Sequence, residues 1–505
     1  MASSKSSSRK LFGNSILYAI SDLLSKGIHF LLLPLYTAFL TTEDYGIQNI
    51  ITSFNAVMNY VVLLSLDSAA TKFYVDYKNN RELIKRFYGT AIIIVGVFST
   101  VVIIICFVFQ SFLINTVFDG IPIVPYVLLG LGILIMDAFF TLHRRMLEAQ
   151  QEGKKVALVG SITVLCSSLI TMLMIGVLHK GAVGMLIAAL IASAGTVIFM
   201  IVDIVRHDMI CICFDKELAK KMLRYSLPLI PHQVSGYLAT LISKIFLNAS
   251  GSLAVVGLYG IATQFSAIVD VFQDSVSRAY RPWLFERLND PKRLIRTEIT
   301  KISNILVCLY SLVFVGVGLF SQEIIYIMTA SSYHGAWMVV PILVISISLR
   351  SIYYFYVAHC FYYQETARKI FVASISANFC NIFAASLLVP RFGMYGSAIA
   401  SLISISINIV FIFFINMRNG DIGYKLGSFV KRLIFSWIFI AIGVLPSYLI
   451  WPEGFKFVNI LYKVLISLIY ITILWFINRA DIYSFVGVKN GNELMKMLIK
   501  ERKKL

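Results

Sequence analysis

Long apolar segments recur along the whole chain, and each carries few charged side chains. A helix of about 20 residues crosses the roughly 30 Å of hydrocarbon in a bilayer, and these segments have that length. Because lipid offers no partners for backbone N–H and C=O groups, such segments must be helices or the strands of a closed barrel. The apolar residues form continuous runs rather than alternating with polar ones, so the pattern predicts transmembrane helices.

We predict an all-α, polytopic membrane protein with about fourteen transmembrane helices. The predicted spans are residues 13–40, 46–70, 87–118, 125–147, 156–178, 184–205, 225–248, 253–276, 302–328, 338–362, 370–390, 395–417, 432–451 and 459–478. The composition agrees, since 58% of the residues are hydrophobic and 14% are charged. A soluble domain carries about 25% charged residues because its surface faces water, so a soluble fold is excluded.

The basic residues are distributed unevenly between the two predicted faces of the membrane. With a cytoplasmic N-terminus, 37 of the 44 Lys and Arg residues fall in cytoplasmic tails and connections. Four, including Lys463, fall on the opposite side, and Lys26, Lys244 and Arg350 lie inside predicted spans. Positive charge marks the cytoplasmic side, which predicts that both termini are cytoplasmic. The net charge of +18 therefore needs no nucleic-acid partner, because topology and anionic lipid head groups account for it.

The second half of the sequence repeats the first at a nearly constant spacing of about 214 positions. The matches are Tyr45–Ile47 with Tyr259–Ile261, Lys154–Val156 with Arg368–Ile370, Gly184–Ile191 with Gly396–Ile403, and Ser25–Lys26 with Ser243–Lys244. An even number of spans in each repeat gives both copies the same orientation, as in transporters whose two halves move around a central site.

The repeat predicts two six-helix lobes followed by an extra helix pair. The expected regions are a cytoplasmic basic tail at 1–10, an N-lobe at 11–205, a cytoplasmic linker at 206–224, a C-lobe at 225–417, the last two spans at 418–478 and a cytoplasmic basic tail at 479–505.

Polar side chains form stripes on the first two predicted helices of each lobe. The stripes are Ser15, Tyr18, Asp22, Lys26, His29 and Tyr36; Gln48, Thr52, Asn55 and Asn59; Gln233, Tyr237, Thr240 and Lys244; and Thr263, Ser266, Asp270, Asp274 and Ser277. A charge at the bilayer centre costs at least about 2.5–3.5 kcal/mol, so we interpret the stripes as the lining of a hydrated cavity. The alternative is a set of buried helix–helix hydrogen bonds. Asp137 and Arg350 could also pair with each other across the repeat.

No motif for enzymatic or cofactor chemistry is present in the sequence. It contains no Walker A loop, no Gly-rich nucleotide fingerprint and no nucleophile elbow, so we expect neither an enzyme nor a cofactor. Cys211 and Cys213 beside His207 and Asp208 hint at a metal, but a structural site normally needs four ligands at a recognisable spacing, so we expect none. We interpret His143 and His359 as hydrogen-bonded polar groups rather than proton relays.

Several short segments resemble the bacterial polysaccharide flippases. Leu11–Ser15, Pro34–Thr37 and Leu40–Gly46 are similar to the start of the O-antigen, capsule and exopolysaccharide repeat-unit translocases of the multidrug/oligosaccharidyl-lipid/polysaccharide exporter superfamily. The later matches are Val255–Tyr259, Pro282 and Gly393–Ala398, so the resemblance extends over essentially the whole chain.

The resemblance implies that the protein flips an undecaprenyl-diphosphate-linked oligosaccharide across the bacterial cytoplasmic membrane by alternating access. A polysaccharide polymerase and a chain-length regulator are the implied partners. The expected anion site is Lys26, Lys244 and Arg350; the expected cavity lining is Asn55, Asn59, Gln233, Tyr237 and Thr240; the candidates for ion coupling are Asp22, Asp137 and Asp270. Many relatives carry Asp-Arg where this chain has Ser243–Lys244, so one carboxylate is missing here.

Three other functions compete with this one. A lipid II flippase would differ only in its cargo, and a cation-coupled multidrug exporter would use cavity carboxylates. An enzyme acting on the same lipid-linked glycan should carry a large outward-facing loop, whereas every predicted outward connection is short.

Overall fold

A computed structural model describes residues 27–289, 295–452, 454 and 456–486 of the chain. Every regular element within these residues is helical. The chain divides into two compact units, which we call unit 1 (Met1–Gly260) and unit 2 (Ile261–Leu505).

Unit 1 contains ten helices and the beginning of an eleventh, besides helical residues 27–31. They are α1 Leu33–Phe39, α2 Thr42–Leu63, α3 Leu66–Tyr77, α4 Arg81–Val108, α5 Gln110–Thr116, α6 Leu128–Ala149, α7 Gly153–Met172, α8 Gly181–His207, α9 Lys216–Ser226, α10 Ile230–Ser250 and the start of α11 Leu253–Leu288. Short turns of π-helix precede α6 (Ile123–Val127) and follow α7 (Leu173–Val177), and a 3₁₀ turn (Leu227–Leu229) leads into α10.

Unit 2 contains the rest of α11 and eight further helices. They are α12 Ile295–Leu319, α13 Ser321–Met328, α14 Val340–Ser348, α15 Arg350–Tyr362, α16 Gln364–Ala367, α17 Ile370–Asn416, α18 Leu426–Leu449 and α19 Phe457–Val486. A 3₁₀ segment, Ser331–Val339, leads into α14, and Met417–Asn419 closes α17 in the same way.

The helices confirm the predicted fold class of a multi-pass, all-α membrane protein. Ten helical segments of the described residues are long and apolar enough to cross a membrane, and the bent pair α2–α3 makes an eleventh. Helix α17 contains two predicted spans, 370–390 and 395–417, because Gly393 adopts a non-helical conformation with φ of +53°. Helix α10 overlaps the predicted span 225–248 but is not among these segments, since polar side chains such as Gln233 and Lys244 interrupt it. The span predicted at 13–40 lies partly outside the described residues.

The exposed side chains of the long helices are largely apolar. Leu169 on α7, Phe379 on α17 and Leu461 on α19 are each more than half exposed. Large exposed apolar areas are unusual in soluble monomers, and here they give the helices a surface suited to lipid.

Helix α2 is fixed at its start by a capping box. Thr41 Oγ1 accepts a hydrogen bond from the Asp44 backbone N–H, and Asp44 Oδ2 accepts one from the Thr41 N–H, each at 3.1 Å. Asp44 Oδ1 also accepts from the N–H of Ala182, at 2.9 Å, which ties the start of α2 to the first turn of α8. The helix ends at Leu64 and Ser65, which both adopt left-handed conformations, and α3 continues at an angle of 41°.

Helices α2 and α11 cross at glycines, and two of these belong to the repeated Tyr-Gly-Ile sequence. A β-carbon on Gly46 would overlap the carbonyl oxygen of Leu253, and one on Gly257 would overlap the carbonyl oxygen of Thr42. Gly260 adds a third close approach to α2. Small residues let membrane helices bring their backbones together, so the first copy of the repeat packs directly on the start of the second.

Candidate functional site

Unit 1 surrounds a polar cavity of about 460 Å³. It is lined by His29, Tyr36, Gln48, Ile51, Thr52, Asn55, Ala56, Asn59, Ile133, Leu134, Asp137, Phe140, Thr141, Ser167, Thr171, Met185, Leu186 and Ala189. Neither lysine nor arginine is present among these described residues, and most of the polar side chains are hydroxyls or amides. Such a lining suits a neutral ligand rich in hydroxyl groups.

The polar stripe of α2 forms one wall of this cavity. Gln48, Thr52, Asn55 and Asn59 all lie in the lining, because residues spaced by three and four fall on one face of a helix. Asn55 Nδ2 donates to the carbonyl oxygen of Gly130, at 2.9 Å. The side-chain oxygens of Asn55 and Asn59 are buried and accept no hydrogen bond from the described residues.

Asp137 also lines the cavity, where it accepts a hydrogen bond from Ser193 Oγ at 2.6 Å. Among the described residues of unit 1, no lysine or arginine forms an ion pair with it. Arg350 belongs to unit 2 and donates to Asp270 Oδ2 at 2.8 Å, while Tyr354 donates to Asp270 Oδ1 at 3.3 Å. Within unit 2, Arg350 therefore has a carboxylate partner of its own.

Lys244 is buried in unit 1 among neutral acceptors. Only 8% of the residue is exposed, and its Nζ donates to Asn49 Oδ1 at 3.0 Å and to Ser53 Oγ at 2.8 Å. The carbonyl oxygen of Asn49 lies 3.4 Å from the same nitrogen. No carboxylate of the described residues is within ion-pair distance, so the acceptors hold this charge in place without neutralising it.

The other polar residues predicted on α10 contact α2 and α3 or their own helix, and they do not line the cavity of unit 1. Gln233 accepts a hydrogen bond from Ser65 Oγ and donates one to Ser68 Oγ, both at 3.2 Å. The ring of Tyr237 lies 5.3 Å from that of Tyr60, measured between centroids. Thr240 bonds the backbone of its own helix. Gln233 thus holds the break between α2 and α3.

The structure describes two of the three basic residues of the predicted anion site. Lys26 and Asp22 lie outside the described residues, together with Ser15 and Tyr18. Lys244 belongs to unit 1 and Arg350 to unit 2.

A buried ion pair in unit 2 escaped the sequence analysis. Lys463 on α19 is fully buried, and its Nζ donates to both carboxylate oxygens of Glu323 on α13, at 2.7 and 2.8 Å. Asn459 donates to the side-chain oxygens of Gln322 and Ser447, so α19 is bonded to both α13 and α18. Lys463 was counted from the sequence among the residues on the side opposite the cytoplasm, and its buried partner was not predicted. The sequence did contain a signal for this buried pair, since Glu323 is a carboxylate inside the predicted span 302–328.

The cysteine pair forms no metal site in the structure. No group of three His, Cys, Asp or Glu side chains within the described residues has a geometry suited to a metal ion. Asp208 forms an ion pair with Lys85 instead, and the hydrogen bond from Lys85 lowers the pKa of the Asp208 carboxyl.

The chain is similar to proteins of polysaccharide synthesis. Residues 11–288 match the family model described as "Polysaccharide biosynthesis protein". The Lsg locus putative protein 1 of Haemophilus influenzae is 22% identical over 404 residues, which cover 77% of this chain and 95% of that protein. An uncharacterized membrane protein of the same organism is 24% identical over 376 residues, covering 72% of this chain and 87% of the relative.

The fold is similar to those of a lipid flippase and of multidrug transporters. The lipid II flippase MurJ, in an inward closed conformation, matches with a TM-score of 0.68 and 17% identity over 92% of this chain and 99% of that chain. A MATE family multidrug resistance transporter of the MOP superfamily, in its inward-facing conformation, matches with a TM-score of 0.61 and 17% identity over 78% of this chain and 94% of the transporter. At these identities the similarity shows a shared fold, and the proteins that share it are transporters rather than enzymes.

Proposed function

Because this chain belongs to the polysaccharide biosynthesis protein family, we propose that it flips an undecaprenyl-diphosphate-linked oligosaccharide from the cytoplasmic to the outer leaflet. The observation that carries the proposal is the cavity of unit 1, whose lining of amides and hydroxyls suits the glycan of such a cargo. We further propose that transport occurs by alternating access between the two predicted lobes. The protein would lie in a bacterial cytoplasmic membrane, with both termini on the cytoplasmic side. A polysaccharide polymerase and a chain-length regulator would receive the product.

The direct test is translocation of the lipid-linked oligosaccharide in proteoliposomes that contain only the purified protein. We expect transport above the level of empty liposomes, and transport should be slower when a cavity group that binds the glycan is removed. If empty and protein-containing liposomes behaved alike under an imposed pH gradient, sodium gradient and membrane potential, the proposed function would be wrong.

Removing the hydroxyl of Thr52 is expected to slow glycan transport about fivefold, since a hydrogen bond contributes about 1 kcal/mol. The matched control is Thr100→Val on α4. Thr52 and Thr100 are both exposed, and each donates to the backbone four residues earlier, at 2.7 and 3.0 Å, but only Thr52 lines the cavity. Initial rates of Thr52→Val and Thr100→Val in the proteoliposome assay make the comparison. Equal transport rates for the two variants would show that the Thr52 hydroxyl on α2 does not bind the glycan.

Of the described residues in the proposed anion site, Lys244 is the strongest candidate for binding the diphosphate. No carboxylate of the described residues neutralises its positive charge. We retain Lys26 and Arg350 as members of the proposed anion site, although Asp270 already compensates Arg350. Contact with the diphosphate would require the phosphate oxygens to replace Asn49 and Ser53 as acceptors.

The variant Lys244→Gln is expected to transport the diphosphate-linked cargo at least about tenfold more slowly, because hydrogen bonds to charged groups contribute about 1.5–3 kcal/mol. Lys244→Arg keeps the charge and should retain more activity. The readout is competition of inorganic pyrophosphate with cargo: pyrophosphate should inhibit the native protein and the arginine variant but not Lys244→Gln. Unchanged inhibition of Lys244→Gln would show that Lys244 serves only in packing.

One observation favours a second function, the export of cationic drugs. Asp137 places a carboxylate in the cavity, and no lysine or arginine of the described residues forms an ion pair with it. Transport of ethidium but not of the lipid-linked glycan, abolished in Asp137→Asn, would establish this alternative. Transport of lipid II in preference to the oligosaccharide would establish a lipid II flippase with the same architecture.

A further inference from the structure

A fully buried histidine in unit 1 lies between a phenol and a carboxylate. His143 on α6 has no exposed surface, and its Nδ1 is 2.6 Å from the hydroxyl oxygen of Tyr88 on α4. On the other side of the ring, Nε2 lies 3.4 Å from Oδ2 of Asp203 on α8. Three helices therefore contribute to one chain of titratable groups, which we call the His143 cluster.

The two facing atoms of His143 and Asp203 have no hydrogen-bond partner among the described residues. The other oxygen of Asp203 is occupied, since Lys155 Nζ and His207 Nδ1 both lie 3.2 Å from Oδ1. An unsatisfied pair of buried polar atoms is costly. A neutral imidazole with its proton on Nε2 can accept from Tyr88 and donate to Asp203 after a small closure of the gap, and a second proton on Nδ1 would let both ring nitrogens donate. The carboxylate would then face the imidazolium through Oδ2 and Lys155 through Oδ1.

The internal repeat places a buried histidine and an amide at the corresponding positions of unit 2, where the contact is made through the other ring nitrogen. His359 and Asn416 follow His143 and Asp203 by 216 and 213 positions, close to the spacing of the other repeats. His359 is also fully buried, and its Nδ1 is 2.8 Å from Oδ1 of Asn416. An amide oxygen can only accept, so His359 must donate from Nδ1. The buried histidine contact therefore needs an acceptor but not a negative charge, and the carboxylate of unit 1 is an additional chemical feature.

Solvent can approach the cluster from one side. A cavity of about 440 Å³ in unit 1 is lined by residues that include Lys155 and His207, both of which contact Asp203. It lies between the ends of α3, α4, α6, α7 and α8 that the basic residues predict to face the cytoplasm. Protons can thus exchange between this solution and the cluster by way of Asp203.

Among the described residues, the other charged groups near His143 do not take the place of Asp203. Tyr88 is the titratable group that contacts His143 from α4, Lys155 is contributed by α7, and Asp203 and His207 by α8. From α3, Asp67 contacts Arg145 on α6, while Lys85 of α4 pairs with Asp208. Lys155 and His207 contact Oδ1 of Asp203, whereas Oδ2 is the oxygen that faces His143, so a proton between His143 and Asp203 lies on the Oδ2 side.

We propose that the His143 cluster is a proton-binding site and that its occupancy is coupled to transport. The first statement stands on the geometry alone, whereas the coupling rests on the proposed function. The proposal replaces our interpretation of His143 as a satisfied polar group and adds a site to the coupling candidates Asp22, Asp137 and Asp270.

Proton binding is tested first without any transport. ¹⁵N-histidine NMR of the purified native protein, with His143 identified by its loss in His143→Gln, should show this imidazole titrating between pH 5 and 8. Asp203→Asn should remove the titration, because the imidazolium loses its counter-charge. This variant should fold, since the amide has nearly the same shape as the carboxylate, and Tyr88→Phe offers a second disturbance of the same ring. An imidazole that keeps one protonation state from pH 5 to 8 would overturn the proposal.

Coupling is tested by the pH dependence of glycan transport in proteoliposomes. A group that must gain or lose a proton changes its occupancy up to tenfold per pH unit. We therefore expect the native rate to change about tenfold between pH 6 and 8, and the rate of Asp203→Asn to change less than about twofold. His359→Gln, the matched change in unit 2, should keep the native pH profile. If Asp203→Asn kept it as well, the coupling would be refuted; if native protein moved no glycan at any pH, the proposed function would fail while the NMR result still decided the proton site.

Discussion

Replacing Lys463 by alanine is expected to destabilise the protein by about 3–5 kcal/mol, because it leaves the Glu323 carboxylate buried without its cation. Lys463 donates to both carboxylate oxygens of Glu323, and both side chains are buried. The pair, with Asn459 beside it, bonds α19 to α13 and α18. The measurement is the denaturant midpoint of purified protein in detergent, followed by tryptophan fluorescence.

Two further variants separate the charge from the packing around it. The double variant Glu323→Gln with Lys463→Met removes both charges and should recover most of the lost stability. Arg278→Ala breaks an exposed ion pair with Asp274 in the same unit and should cost at most about 1 kcal/mol. A Lys463→Ala protein as stable as Arg278→Ala would show that the buried pair does not hold α19 in place.

Placing a methyl group at Gly257 is expected to cost about 3 kcal/mol, because the added carbon would meet a main-chain oxygen that cannot move aside alone. A β-carbon there overlaps the Thr42 carbonyl oxygen, so α2 and α11 would have to separate. The measurement is the yield of monodisperse protein and the temperature of unfolding in detergent for Gly257→Ala.

The control for this variant is Gly195→Ala on α8, where a β-carbon meets nothing within 4 Å. That change should be neutral or stabilise the helix by up to about 1 kcal/mol, since alanine is the better helix former. Equal unfolding temperatures for the two variants would contradict the close contact between α2 and α11.

The helices were predictable because each apolar run is bounded by charged residues or turns, and lipid leaves the backbone few alternatives. The face of α2 was predictable too: the spacing of Gln48, Thr52, Asn55 and Asn59 selects one side of a helix, and that side lines the cavity. The 47-residue helix α17 was divided correctly at its glycine, Gly393, although the joint itself remains within one continuous element.

The partners of buried charges could not be predicted in this way. Lys244 is bonded to residues 195 and 191 positions away, and Lys463 to one 140 positions away, so periodicity within one helix carries no information about them. The repeat could have helped, since aligning His143 with His359 also aligns Asp203 with Asn416. Arg350 was identified as an intramembrane charge, but its partner Asp270 had been assigned separately to ion coupling.

The break at Leu64 and Ser65 is a joint at which α3 can change its direction relative to α2. Helix α2 is clamped by the glycine crossing and by its capping box, whereas α3 begins after two left-handed residues steadied by the side chain of Gln233. Its 12 residues extend for about 18 Å. A rotation of about 10° at this joint would move the far end of α3 by about 3 Å, and because the buried side chains of α3 pack on α6, that helix would have to move with it.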